Sequence, residues 1–83
     1  MYQVELSKRA KKELDKFDDR YKRKILQALY GLAKNPFTGK KLAGKFAKEW
    51  SYRVWPCRII YEIYKKELLV LVIAISHRQG VYN

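Results

Sequence analysis

Acidic residues are scarce in this chain, and so are the residues that usually hold metals or form covalent intermediates. Nineteen lysines and arginines stand against 8 aspartates and glutamates, with one histidine and one cysteine among 83 residues. The lone Cys57 excludes an internal disulfide and fits a reducing compartment. One histidine and one cysteine cannot build a zinc site, and the scattered acids form no constellation that would hold Mg²⁺. The phosphate-binding glycine motif of nucleotide hydrolases and the serine-nucleophile signature are both missing. No metal or cofactor is expected. The longest apolar run, residues 68–75, falls far short of the ~20 residues that span a bilayer. The opening MYQVELS has no apolar signal core. The expectation is a soluble cytoplasmic protein with no membrane partner.

What is present points to one small basic domain covering residues 1–83. Its 48% hydrophobic and 14% aromatic content suffices for a single core. The net charge of +11 costs stability by self-repulsion, and its usual counterpart is a polyanion, nucleic acid first.

Periodicity supplies the architecture. Tyr2, Val4 and Leu6 alternate with Gln3 and Glu5 as a first strand. Ser7 is placed to cap a helix whose core face is Ala10, Leu14 and Phe17. Asp18 or Asp19 caps a second helix with Tyr21, Ile25, Ala28, Leu29 and Leu32 as its buried stripe, ended by Asn35-Pro36. Residues 34–48 read as a loop with Gly39, Gly44 and the candidate RNA-binding lysines Lys40, Lys41, Lys45 and Lys48, and this loop either approaches a phosphate backbone or serves only as a soluble connection. Residues 68–75 are apolar on both faces and belong in the middle of a sheet. The order is β-α-α-β-β-β, an α+β domain with a helical hairpin packed on a small, mainly antiparallel sheet.

Between these lies the hairpin that organises the chain. Trp50, Tyr52 and Val54 alternate with Ser51 and Arg53, and Ile59, Tyr61 and Ile63 alternate with Arg58, Ile60 and Glu62. A tip at Trp55-Pro56 sets Val54 against Cys57, Arg53 against Arg58, Tyr52 against Ile59 and Trp50 against Tyr61. That register turns Cys57 and the aromatics to one face and both arginines to the other. Directly opposed like charges destabilise a strand pair, so the arginines either hold an anion between them, pair with acids such as Glu49 and Glu62, or simply lie in solvent. An enzyme with this inventory would work with arginine, lysine, tyrosine and histidine. Such a set can cleave RNA by orienting the 2′-hydroxyl, stabilising the phosphorane and protonating the leaving oxygen.

The string R-V-x-x-C-R-I-I-Y-E-I, the apolar strand after it and the ending S-H-R-Q-G-V-Y resemble the RelE/ParE toxin superfamily, as do Leu42-Ala-Gly and Trp50-Ser-Tyr-Arg-Val. The resemblance covers essentially the whole chain. It implies a toxin of a type II toxin–antitoxin system, with an acidic antitoxin, mRNA in the ribosomal A site and rRNA as partners. Residues carried over on the RelE-like reading are Arg58, which would bind the scissile phosphate, Arg78, which would stabilise the transition state, and Tyr82, which would stack on or activate the nucleotide. Arg53 sits near a family lysine, while Ser51 stands where some members carry a second one. His77 is a candidate acid or base, with a structural role as the alternative. The rival readings are a ParE-like poison of DNA gyrase, which cuts nothing itself, and a non-catalytic basic RNA-binding module.

Overall fold

The structure is a computed structural model and describes residues 1–77. Strand β1 (Gln3–Leu6) leads into helices α1 (Lys8–Lys16) and α2 (Asp19–Lys34). After a 3₁₀ turn at Pro36–Thr38 come β2 (Lys40–Lys41), a second 3₁₀ turn at Gly44–Phe46, β3 (Glu49–Val54), β4 (Cys57–Tyr64) and β5 (Leu69–His77). The sheet order is β1-β5-β4-β3-β2, with β1 parallel to β5 and every other neighbouring pair antiparallel. The expected order holds, with one addition. The segment read as loop contributes the two-residue edge strand β2, pairing Lys40 with Ser51 and Lys41 with Trp50.

The helix starts follow from local chemistry. Ser7 Oγ accepts from the Ala10 amide at 3.0 Å, and Asp18 Oδ1 accepts from the Tyr21 amide at 3.2 Å. Both helices lie on one sheet face, where Ala10, Ile25, Leu29 and Leu32 pack on Ile59, Tyr61, Val70, Val72 and Ile75. Deleting most of a side chain such as Ile25, which is fully buried, would cost about 2–5 kcal/mol.

Strand β5 outruns its neighbour β1, which ends at Leu6, and so loses its ladder partner on that side. Helix α1 and its cap supply the missing bonds. Ser7 Oγ donates to the Ile73 carbonyl at 2.8 Å, and the Ile75 amide donates to a Glu13 carboxylate oxygen, also at 2.8 Å. Glu13 takes a second bond from Arg9 Nε at 3.2 Å. These side chains hold the end of β5 in register with β4, including the Arg58–Ser76 pair. Among the described residues, no helix is long and apolar enough to cross a membrane.

Candidate functional site

The β3–β4 hairpin adopts the register expected from its alternation, with Val54 against Cys57, Arg53 against Arg58, Tyr52 against Ile59 and Trp50 against Tyr61. Residues 55 and 56 make the tip, with a cis peptide bond between Trp55 and Pro56. Cys57, Ile59 and Tyr61 are buried under the helices. Alternation therefore carries Arg53 and Arg58 to the opposite face, which no helix covers among the described residues. Cross-strand partners of this kind stand about 4.5–5.5 Å apart at Cβ.

Around the two arginines opens a cleft of about 500 Å³, lined also by Thr38, Gly39, Lys40, Leu42, Ser51 and Tyr52. Among the described residues that line it are three cations and no acid. Among the described residues the one ion pair is Arg9–Glu13, so neither arginine is neutralised by a carboxylate. Glu49 and Glu62 face each other four rungs along the same ladder, about 13 Å from the arginine pair. That separation removes the ion-pair alternative for Arg53 and Arg58.

What brings Lys40 to the arginines is Gly39. A Cβ at this position would lie 2.2 Å from Tyr61 Oη and 2.9 Å from the Ser51 carbonyl oxygen. The bare glycine lets the chain lie against Tyr61, whose hydroxyl donates to the Pro36 carbonyl at 2.7 Å. Burial pushes the Tyr61 hydroxyl up to about 12, against the opposing effect of a bond with the Gly39 backbone. The space a side chain would need at Gly39 is thus taken up by a tyrosine of the core. Gly44 has a left-handed φ of 69° at the start of its 3₁₀ turn, a backbone need rather than a contact.

The remaining candidates divide. Lys40 lines the arginine cleft, whereas Lys41 and Lys48 line a second hollow at the far end of the hairpin. Lys45 is exposed in the second 3₁₀ turn. His77 does not join the arginines. It pairs with Cys57 across the β4–β5 ladder and turns to the helix face, with its ring 5.3 Å from Tyr21 and 6.1 Å from Phe17. Its ring thus sits at the sheet end, on the face away from Arg53 and Arg58. Arg78 and Tyr82 lie outside the described residues. Burial also pushes the Cys57 thiol up, although Lys24 pulls the other way, so it is a poor nucleophile. Among the described residues no group of three or more His, Cys, Asp and Glu could hold a metal ion.

The site is thus a basic cleft on one face of a small mixed sheet, with a helical pair packed on the other face. The family described as the ParE toxin of type II toxin–antitoxin systems matches residues 4–82. The toxin–antitoxin complex RelBE2 of Mycobacterium tuberculosis is 26% identical with a TM-score of 0.88, covering 93% of this chain and 91% of the other. The isolated Escherichia coli RelE toxin is 20% identical with a TM-score of 0.80, over 93% and 84% of the two chains. A YoeB/ParE toxin from Agrobacterium tumefaciens is 20% identical with a TM-score of 0.77, over 90% and 96%. No curated protein matches. The chain belongs to the RelE/ParE family and is a toxin of a type II toxin–antitoxin system.

Proposed function

We propose that this toxin is a ribosome-dependent, metal-independent mRNA endonuclease that arrests translation in the cytoplasm and is restrained by an acidic antitoxin. The observation that carries the reading is the Arg53–Arg58 pair, opposed across the ladder in a cleft without a carboxylate. Two unneutralised guanidinium groups side by side, with Lys40 beside them, suit a bridging phosphate better than any protein group nearby. A scissile phosphate held there would be attacked by the adjacent ribose 2′-oxygen. The new P–O2′ bond forms as the P–O5′ bond breaks, giving a 2′,3′-cyclic phosphate and a 5′-hydroxyl.

Arg58, half-buried and better fixed than exposed Arg53, would hold the phosphate, and Arg53 and Lys40 would offset the growing negative charge. On the family resemblance, Arg78 and Tyr82 would complete the set, with proton transfer as the tyrosine's share. The acidic antitoxin finds its counterpart in the +11 charge of this chain. The related RelBE2 structure is itself a toxin–antitoxin complex.

The gyrase-poisoning reading draws on the ParE description of the matching family. One paired experiment separates the two. In vitro translation with primer extension should reveal site-specific mRNA cuts that persist in EDTA once ribosome integrity is secured, with cyclic phosphate or its hydrolysis product at the ends. Trapped cleaved DNA in a gyrase assay, with intact mRNA, would overturn the proposal. Cut products ending uniformly in 3′-hydroxyl would overturn the mechanism.

A further inference from the structure

At the end of the hairpin away from Arg53 and Arg58 lies the second hollow, of about 400 Å³. Three aromatic rings from separate elements line it: Phe37 from the first 3₁₀ turn, Trp50 from β3 and Tyr64 from the end of β4. Phe37 is 42% exposed and Tyr64 40%, so both rings are open to a ligand. Trp50 stands edge-on to Phe37 at 5.6 Å and lies nearly parallel to Tyr61 at 6.4 Å, which fixes its ring. Lys41, Lys48 and Glu62 also line the hollow. Lys65 Nζ lies 5.5 Å from the Phe37 centroid, a position from which it can follow a stacked, charged ligand. The Tyr64 hydroxyl donates to a Glu62 carboxylate oxygen, leaving the other oxygen to accept from a ligand.

We propose that this hollow is a nucleotide subsite. A base stacks on Phe37 or Tyr64, its phosphate meets Lys41 and Lys48, and an exocyclic amine on its edge donates to Glu62. The volume falls within the range of about 300–1,000 Å³ typical of small-ligand sites. Adenine, cytosine and guanine carry the amine, whereas the exocyclic groups of uracil are carbonyl acceptors that a carboxylate repels. An acidic peptide fits less well, because Glu62 repels it and the rings gain little from it. The proposal rests on RNA as the substrate class given above. It adds a contact that grips the strand away from the reacting phosphate.

The test uses the full chain carrying Arg53→Ala and Arg58→Ala, which removes the other anion site, and NMR titration with AMP, UMP, adenosine and inorganic phosphate. AMP is expected to shift the Trp50 indole N–H and the Phe37 and Tyr64 ring signals. It should bind at least about 3-fold more tightly than UMP, adenosine or phosphate. Tyr64→Ala, a change at an exposed ring, should weaken AMP binding by about 5- to 100-fold. Equal binding of phosphate and AMP would overturn the proposal, as would AMP shifts on another surface. Saturation by a glutamate-rich peptide, with no response to AMP, would make the hollow a protein-docking site and also overturn it. Primer extension on the wild-type chain runs in parallel. Cleavage without nucleotide shifts sinks the subsite alone, and shifts without cleavage sink the proposed activity alone.

Discussion

The two ends of the β3–β4 ladder carry opposite solutions to the same electrostatic problem. Near the tip Arg53 faces Arg58, and at the other end Glu49 faces Glu62. Each like-charge pair costs the sheet something on the order of 0.2–1 kcal/mol. The acidic end is compensated locally, since Lys41, Lys48 and Lys65 line the same hollow as Glu62 and the Tyr64 hydroxyl donates to it. The arginine end is not compensated, because its cleft adds Lys40 and no acid. A sheet shaped for stability alone would neutralise both ends. Among the described residues, the arginine end is thus left with a charge imbalance that a bound anion would complete.

The strongest way to break that comparison is to remove an arginine. Arg58→Ala should lower single-turnover cleavage on programmed ribosomes by about 100- to 1,000-fold, the range for losing a donor to developing transition-state charge. The melting temperature should hold or rise, since repulsion is relieved and no carboxylate loses a partner. A fall in thermal stability matching the fall in activity would recast the arginine as a structural residue.

Gly39 tests how the cleft is assembled. Gly39→Ala forces a methyl group into Tyr61 Oη and should cost about 1–3 kcal/mol in urea denaturation. It should also slow cleavage about 10-fold by moving Lys40. Adding Tyr61→Phe makes room while leaving the Pro36 carbonyl without its donor. The double variant should thus lose clearly less than the two single losses added together. Simple additivity would mean that the strain is relieved elsewhere and that Gly39 does not set the position of Lys40.

Tyr61 also predicts a pH dependence. Its hydroxyl is raised to about 12 by burial, so the unfolded chain ionises first as pH climbs past the ordinary value of 10. Folding stability from this group is complete below about pH 10 and is lost between about pH 10 and 12, by up to ~1.4 kcal/mol per pH unit. Tyr61→Phe should flatten that part of the stability curve. An unchanged alkaline slope in the variant would assign it to other groups.

The parts that were legible in the sequence are those whose physics is local. Alternation on both sides of a two-residue tip fixes the hairpin register, and with it the Arg53–Arg58 pair and the burial of Cys57. Ser7 and Asp18 announce the helix starts by their own side chains. Strand β2 escaped because Lys40 and Lys41 show no apolar alternation and owe their strand form to pairing with β3. Gly39 is required by Tyr61, and Glu13 by the unpaired Ile75 amide, both partners far along the chain. His77 shares the helix face through its pairing with Cys57, whereas Arg58 pairs with Ser76 and faces the other way. An irregularity in the β4–β5 ladder between Ile60 and Tyr61 hides the parity from simple counting.

The smallest expected effect gives the finest test of the two ends. Glu49→Gln relieves the acidic pair without touching either hollow, as Glu49 lines neither. Because lysines already screen that end, the gain should be no more than about 0.5 kcal/mol. Arg53→Gln removes a charge from an end with no carboxylate among the described residues and should gain more, up to about 1 kcal/mol. Both gains should shrink as salt rises from about 0.01 to 1 M, where screening shortens from ~30 to ~3 Å. Cleavage should be unchanged in Glu49→Gln and reduced in Arg53→Gln. Chemical denaturation across that salt series decides the matter. A larger gain at Glu49 than at Arg53 would mean that the acidic end is the uncompensated one, and the case for a phosphate between the arginines would lose its electrostatic ground.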